Sequence, residues 1–514
     1  MMQANDKAKT IRIMDTTLRD GEQTRDVSFN SAEKLAIAKL LLKRLNVDFI
    51  EVASARVSQG ELEAVKEMAK WAKAEGFLDR VEILGFVDEN KSVDWIKETG
   101  CRKMNLLAKG SEKHARMQLG KNLGEHLTDI GKTIAYAKSN GVKANIYLED
   151  WSNGMLNSKD FVFGLAEGIK DLGFERILLP DTLGILSPKQ AYEFVSEMKN
   201  KFPRLSFDFH AHNDYGLAVA NSLAAIEAGA SCVHSTINGL GERTGNASLA
   251  ELAVAINDFS GGKCNINEKA LLEASSLVEK FSMRRLSPNA PIVGKVVFTQ
   301  TAGVHADGDK KGDLYKSRLS AERFGKETEY SLGKLSGKAS LEQNLKMLGI
   351  ELNKEEKGEV LKRVVELGDK KQAITTADLP FIISDVLQRQ DSGKIKIKEC
   401  KVSSSLREKP LASAIIEVNG KEYSAESRGD GGYDAFMNAL KKISLQVNFK
   451  IAQLTDYEVR IPPGGNTDAL VEAKISWQSN GNSFQTVGVD SDQMVAAIKA
   501  TEKMLNLVNG YLGN

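Results

Sequence analysis

Three features of the sequence predict an α/β chain that opens with a (β/α)8 TIM barrel. Eight short apolar runs alternate with amphipathic stretches of helical length between Thr10 and Phe259. No glycine-rich dinucleotide fingerprint follows the first run, where Asp15-Thr16-Thr17-Leu18-Arg19-Asp20 stands instead, and this disfavours an open doubly wound sheet. Polar residues gather directly after the runs, as they should if a site lies at the carboxyl ends of barrel strands.

The runs are Ile11-Met14, Phe49-Val52, Val81-Phe86, Lys103-Leu107, Ala144-Leu148, Ile177-Leu179, Ser206-Phe209 and Cys232-Thr236. Helical patterns such as Ser31-Lys43 and Leu127-Asn140 separate them. The first run is followed by Arg19, Asp20 and Gln23, the fifth by Glu149 and Asp150, and the sixth by Asp181 and Thr182. His210, His212, Asn213 and Asp214 follow the seventh, and the eighth leads into the loop Asn238-Asn246. Residues 1–262 are thus expected to form the barrel.

Past Gly261-Gly262 the alternation stops. Residues 263–392 read as a helical linker region with a loop-rich centre at Thr301-Tyr315 and a turn at Gly333-Lys338. Residues 393–514 read as an α+β regulatory domain with an internal repeat. Its first copy is Ala412-Val418, an Asn419-Gly420 turn, a second strand and the helix Tyr433-Ile443. The second copy is Ala469-Trp477, an Asn480-Gly481 turn, a strand from Ser483 and the helix Asp492-Leu505. Asn-Gly between alternating apolar runs is a strong hairpin signal.

Composition narrows the function. A chain of 514 residues needs two or three cores. With 70 Lys and Arg against 69 Asp and Glu, no net field favours nucleic acid or an anionic membrane. The apolar runs are too short to span a bilayer, and Met1-Thr10 is too polar for a secretion signal. Cys101, Cys232, Cys264 and Cys400 are scattered without a CxxC pair, which suits the cytoplasm and argues against a disulfide frame or thiolate zinc site.

A lone histidine in an apolar run is most often a core residue. His210 and His212, however, sit two apart at a strand end, so both rings project the same way. Asp20 from another strand end would complete a metal set with open positions, and Asn246 would be a weaker fourth ligand. Two imidazoles and one carboxylate suit a divalent ion such as Zn, Mn, Co or Mg. Such an ion would polarise the carbonyl of a bound 2-oxo acid. Arg19, forked and permanently charged, would stabilise the developing alkoxide. Thr182 would hold the substrate carboxylate, and Glu149 would act as an acid or base or sit in a rim salt bridge. The loop Gly239-Asn246 lacks dinucleotide spacing and no GxxxxGK[ST] occurs, which argues against NAD or ATP chemistry.

Leu18-Arg19-Asp20-Gly21-Glu22-Gln23, with Lys34 downstream, and Phe207-Gly216 resemble the two signatures of the isopropylmalate, homocitrate and citramalate synthases. The resemblance continues through Gly239-Asn246, Gly303-Gly308 with Tyr315, and Gly333-Lys338, and the C-terminal repeat resembles the amino-acid-sensing domain of that family. It implies condensation of acetyl-CoA with a 2-oxo acid, followed by thioester hydrolysis. It assigns the metal to Asp20, His210 and His212 with Asn246 nearby, ketone polarisation to Arg19 and proton transfer to Glu149. It adds His305, Asp307 and Tyr315 from the middle region, reaching the partner's barrel in a homodimer with a shared site.

The substituent of the 2-oxo acid should meet Leu84, Phe86, Leu107 and Tyr147, whose bland reading is barrel packing. Isopropylmalate synthases tend to carry a His in the fourth-strand segment, in a stretch ending Ala-Thr-Ser, where this chain reads Lys103-Ser111. Bulky apolar walls leave room for a methyl, so pyruvate is the expected substrate, citramalate the product and isoleucine the effector. The rival is 2-oxoisovalerate with leucine as effector, and a remote one is a non-catalytic amino-acid-binding regulator. The loops Gly429-Asp434 and Pro462-Asp468 are expected to approach the effector, with Asp434 at its charged end and Tyr433, Leu454 and Ile461 around its side chain.

Overall fold

The computed structural model describes residues 9–300, 308, 312, 314, 317–369, 374–387, 395–460 and 471–511. It holds two compact units that divide between Val297 and Phe298, with Ala321–Lys326 belonging to the first.

In the first unit, β1 (Arg12–Asp15), β2 (Phe49–Ser54), β3 (Val81–Phe86), β4 (Lys103–Lys109), β5 (Lys143–Glu149), β6 (Ile177–Asp181), β7 (Phe207–Ala211) and β8 (Cys232–Ser235) close in sequence order into a barrel. β1 pairs in parallel with both β2 and β8. One set of alternate residues, including Ile13, Ile50, Ile83, Leu106, Ile146, Leu179, Phe209 and Val233, is buried and apolar. The other set carries Glu51, Glu82, Asn105, Asn145, Asp208 and His234, equally buried. The barrel is therefore filled in large part by hydrogen-bonded polar side chains, which a buried strand tolerates only when each finds a partner.

The turn after β1 is braced from outside. Helix Ser31–Lys39 starts on a capping box in which the Asn30 side chain accepts from the Glu33 amide at 3.0 Å and Glu33 accepts from the Asn30 amide at 2.9 Å. That helix delivers Lys34, 1% exposed, to Glu22 at 2.7 Å and to Glu61, tying the segment after Asp20 to the next helix. Beyond the barrel, helix Leu271–Ser282 stays on this unit, where Ser275 bonds both ends of the Asn238 amide. Arg323 returns to it through ion pairs with Asp258 at 2.9 Å and Glu268 at 2.5 Å.

In the second unit, helices Lys338–Met347, Lys354–Asp369 and Leu379–Val386 pack around Leu341, Leu345, Val360, Val364 and Leu379. Each C-terminal repeat is a three-stranded antiparallel sheet and a helix. The first is Ile395–Ser403, Leu411–Val418, Lys421–Arg428 and helix Gly432–Val447. The second is Gln453–Arg460, Val471–Ser479, Asn482–Asp490 and helix Gln493–Asn506. The leading strand of each copy is additional to the hairpin expected from sequence. Both carry a register shift near their start, between Ile397 and Glu399 and between Leu454 and Asp456, and this breaks the alternation that would mark them. Ile416, Phe436, Leu440, Trp477, Ala497 and Met504 share one core beneath both copies. Among the described residues no helix is long and apolar enough to cross a membrane.

Candidate active site

Asp20 is set by the turn that ends β1, where its amide donates to Thr16 O at 2.8 Å. Its Oδ2 lies 3.2 Å from His210 Nε2 and 3.9 Å from His212 Nε2, so the strand-end pair and the first-strand aspartate do converge. Asn246 is bridged to His212, and its amide nitrogen donates to Leu240 O at 3.0 Å, leaving Oδ1 uncommitted. Four buried atoms here have no hydrogen-bond partner: Asp20 Oδ1, His210 Nδ1, His212 Nδ1 and Asn246 Oδ1. The two oxygens are costly to bury unless something satisfies them, and a cation seated there would also meet the Nε2 atoms that both histidines turn toward Asp20.

The protonation states suit a cation. Burial lowers both imidazoles, and with His210 beside it His212 falls to about 4, so both are neutral donors at neutral pH. Burial alone would raise Asp20, but Arg19 and the histidines overcome it and hold the carboxyl well below its usual range. The residues thus fit a divalent ion. Asp208, Cys232 and His234 form a second close group, but Arg176 Nη1 lies 2.9 Å from Asp208, so a guanidinium already supplies its positive charge.

Arg19 directs each of its nitrogens to a different partner. Nε donates to Glu51 at 2.5 Å, Nη1 meets Asp20 at 3.2 Å and Nη2 donates to the Tyr147 hydroxyl at 3.5 Å. Tyr147 and Leu84 pack with Met14, Leu178 and Cys232, and Phe49 and Leu107 close on the same cluster. Phe86 ends β3 outside that cluster. Glu149 pairs with Lys109 across β4 and β5, a cation on the rim that the sequence did not single out. Asp150 adopts a left-handed conformation, with φ of 66°, and its amide donates to Thr182 Oγ1 at 2.9 Å. That leaves the Thr182 hydroxyl its proton to give to another acceptor.

The glycine loop is built for close approach. A Cβ on Gly245 would meet Gly239 O at 1.8 Å, and one on Gly241 would meet the Asn246 amide nitrogen at 2.2 Å. Arg243 latches the loop to the rim, with Nε 2.8 Å from Asp214 and Nη2 donating to Thr182 O at 2.8 Å. His305, Asp307 and Tyr315 lie outside the described residues.

In the C-terminal domain, the Tyr433 hydroxyl meets Thr501 at 2.6 Å and its ring lies 5.1 Å from Tyr457, so it joins the two repeats. Asp434 accepts from the Asp430 amide at 3.0 Å and from Asn438 at 3.2 Å. Gly429 admits its own helix, since a Cβ there would meet the Ala435 amide at 2.3 Å, so its smallness serves internal packing rather than a ligand. Leu454 is partly exposed beside the register shift, and Ile461 and Pro462-Asp468 lie outside the described residues.

Sequence reasoning passed over Glu51, Lys109, Asp208 and His234. Asp208 was within reach, because Asp208, His210 and His212 share one face of β7 by the alternation that paired the histidines.

This arrangement belongs to a family of barrel enzymes. The chain belongs to the HMGL-like family, whose model matches residues 10–278, and it is an enzyme of that family. Residues 292–372 match the homocitrate synthase post-HMGL domain-like model, and residues 373–509 match the LeuA allosteric (dimerisation) domain. The chain is 34% identical to the (R)-citramalate synthase of Methanocaldococcus jannaschii, over 97% of this chain and 99% of that protein. It is also 34% identical to the 2-isopropylmalate synthase of the same organism, over 97% of this chain and 94% of that protein. Equal identity to two synthases of different name leaves the choice of 2-oxo acid to the pocket.

Proposed function

We propose that this enzyme condenses acetyl-CoA with pyruvate and hydrolyses the thioester, releasing citramalate and CoA. The observation that carries the choice of pyruvate is the apolar cluster of Leu84 and Tyr147, with Leu107 packed against it, whose Tyr147 hydroxyl meets the Arg19 fork. Asp20, His210 and His212, with Asn246, would hold a divalent ion, which supplies Lewis-acid polarisation of the ketone when bound. Arg19 offers its guanidinium to the ketone oxygen as negative charge grows there. The Thr182 hydroxyl donates to the substrate carboxylate, its own oxygen being occupied by the Asp150 amide. Glu149 assists proton transfer at the rim, with Lys109 beside it. His305, Asp307 and Tyr315 enter on the family resemblance, as residues of a homodimer whose sites are shared. Isoleucine binding in the C-terminal repeat would close a feedback loop.

Steady-state release of free thiol, with pyruvate and 2-oxoisovalerate compared at saturating acetyl-CoA, tests the reading. Pyruvate should give the higher kcat/KM, and chelator should abolish turnover until metal is returned. Preference for 2-oxoisovalerate would make the chain an isopropylmalate synthase, and full activity after exhaustive chelation would remove the metal assignment.

A further inference from the structure

Beneath the pocket the buried polar side chains form a closed ring. Arg19 bonds Glu51 at 2.5 Å, Asn105 donates to Glu51 at 2.7 Å and Asn145 to Asn105 at 2.7 Å. Asn145 reaches Glu82 at 3.2 Å, and Glu82 accepts from Arg176 at 2.5 Å. Arg176 meets Asp208 at 2.9 Å, Asp208 meets His234 Nε2 at 3.4 Å, His234 Nδ1 meets the Tyr147 hydroxyl at 3.2 Å, and Tyr147 returns to Arg19 at 3.5 Å.

The chemistry of the members sets the direction of the last links. Asp208 faces the Arg176 guanidinium at 2.9 Å, and a carboxylate in an ion pair only accepts. His234 Nε2, 3.4 Å from that carboxylate, therefore carries the proton, and in a neutral imidazole this leaves Nδ1, 3.2 Å from the Tyr147 hydroxyl, as an acceptor. The Tyr147 proton points down to Nδ1. Its oxygen consequently turns lone pairs toward Arg19 and the pocket, and has no proton to give a substrate.

We propose that His234, oriented by Asp208, is a positioning residue that aims the Tyr147 hydroxyl and so steadies the Arg19 fork, making the pocket accept 2-oxo monoacids and refuse 2-oxo diacids. A methyl rests against the phenol without cost, whereas a distal carboxylate would face lone pairs. The inference rests on the proposed condensation of a 2-oxo acid.

A double-mutant cycle on the full chain tests it. His234→Gln places its amide toward Asp208 and abandons Tyr147, while His234→Asn keeps an acceptor near the Nδ1 position. With Tyr147 present, His234→Gln should lower kcat/KM for pyruvate by about tenfold, and in a Tyr147→Phe background by less than about twofold. His234→Asn should recover most of the loss, and the probes oxaloacetate and 2-oxoglutarate should gain relative to pyruvate in His234→Gln. Metal content, measured on each variant, should stay at the wild-type level. Equal losses in both backgrounds, an Asn variant as impaired as the Gln variant, or a loss that tracks metal content would each overturn the relay. If His234→Gln does not fold, His234→Asn and Tyr147→Phe decide alone: near-wild-type activity in the first and a roughly tenfold loss in the second are required. Wild-type protein that releases no thiol with any 2-oxo acid refutes the proposed function instead, which keeps the two failures apart.

Discussion

Replacing Arg19 with lysine keeps the charge and removes the fork. Three separate nitrogens of Arg19 reach Glu51, Asp20 and Tyr147, and these partners lie in different directions from the guanidinium. A lysine ammonium is a compact donor on a flexible stem and can serve one of these positions well. If it follows Glu51, which is fully buried, it leaves the ketone oxygen without the donor that meets developing charge. Loss of one such donor costs about 3–4 kcal/mol of transition-state stabilisation, or roughly a hundred- to a thousandfold in kcat. Stability should suffer less than the ~3–5 kcal/mol seen when one member of a buried ion pair is deleted outright. Glu51 keeps the amide of Asn105 at 2.7 Å and still has a cation nearby. The assay is thiol release under saturating acetyl-CoA, with kcat and KM for pyruvate separated and a thermal unfolding curve on the same preparation. A drop in kcat of less than about fivefold in folded, metal-loaded protein would refute the role given to the fork.

Leu107→Ala trims the partly exposed side of the pocket wall. It should shift the kcat/KM ratio of 2-oxobutyrate or 2-oxoisovalerate to pyruvate upward by about ten- to a hundredfold, read in the same assay. An unchanged ratio would place the selecting wall elsewhere. Acidification should destabilise the metal-free protein early, because His126, His210, His212 and His234 are all lowered, chiefly by burial. Below the unfolded histidine value near 6.5 the unfolded chain takes up protons that the folded chain refuses, so stability falls by about 1.4 kcal/mol per pH unit for each group. For His212 the loss continues until pH reaches about 4. Urea midpoints that stay flat between neutrality and that pH would contradict it. Isoleucine should inhibit the full chain at concentrations where leucine does much less, and a chain ending near Ser392 should lose the response. Retained inhibition in the shortened chain would place the effector site outside the repeat.

The parts of the fold that could be read in the sequence are those governed by local periodicity. Eight apolar runs and the spacing of His210 and His212 follow from the two-residue repeat of a strand, and Asn419-Gly420 and Asn480-Gly481 mark their turns chemically. The leading strands Ile395–Ser403 and Gln453–Arg460 escape because a register shift interrupts the repeat and most of their residues are only partly buried or exposed. The polar ring escapes for a different reason. Glu51, Glu82, Asn105 and Arg176 read along the chain as isolated interruptions, and their pairing exists only once eight strands close. Asp20 and Asn246 sit on loops with no spacing that ties them to the histidines, so only their place after strand ends marks them as ligand candidates.

The Arg243 latch and the ring below it answer differently to dissolved salt. Arg243 and Asp214 are 32% and 22% exposed, whereas Arg176 and Asp208 are 3% and 0% exposed. Counter-ions screen charges in water over about 8 Å at physiological ionic strength but scarcely enter a dry interior. Raising ionic strength therefore weakens the Arg243–Asp214 pair, while backbone bonds such as Asn213 N to Gly245 O at 2.9 Å still hold the loop and the floor keeps its geometry. Salt thus reaches the charge pair on the rim and leaves the charges of the barrel floor as they are.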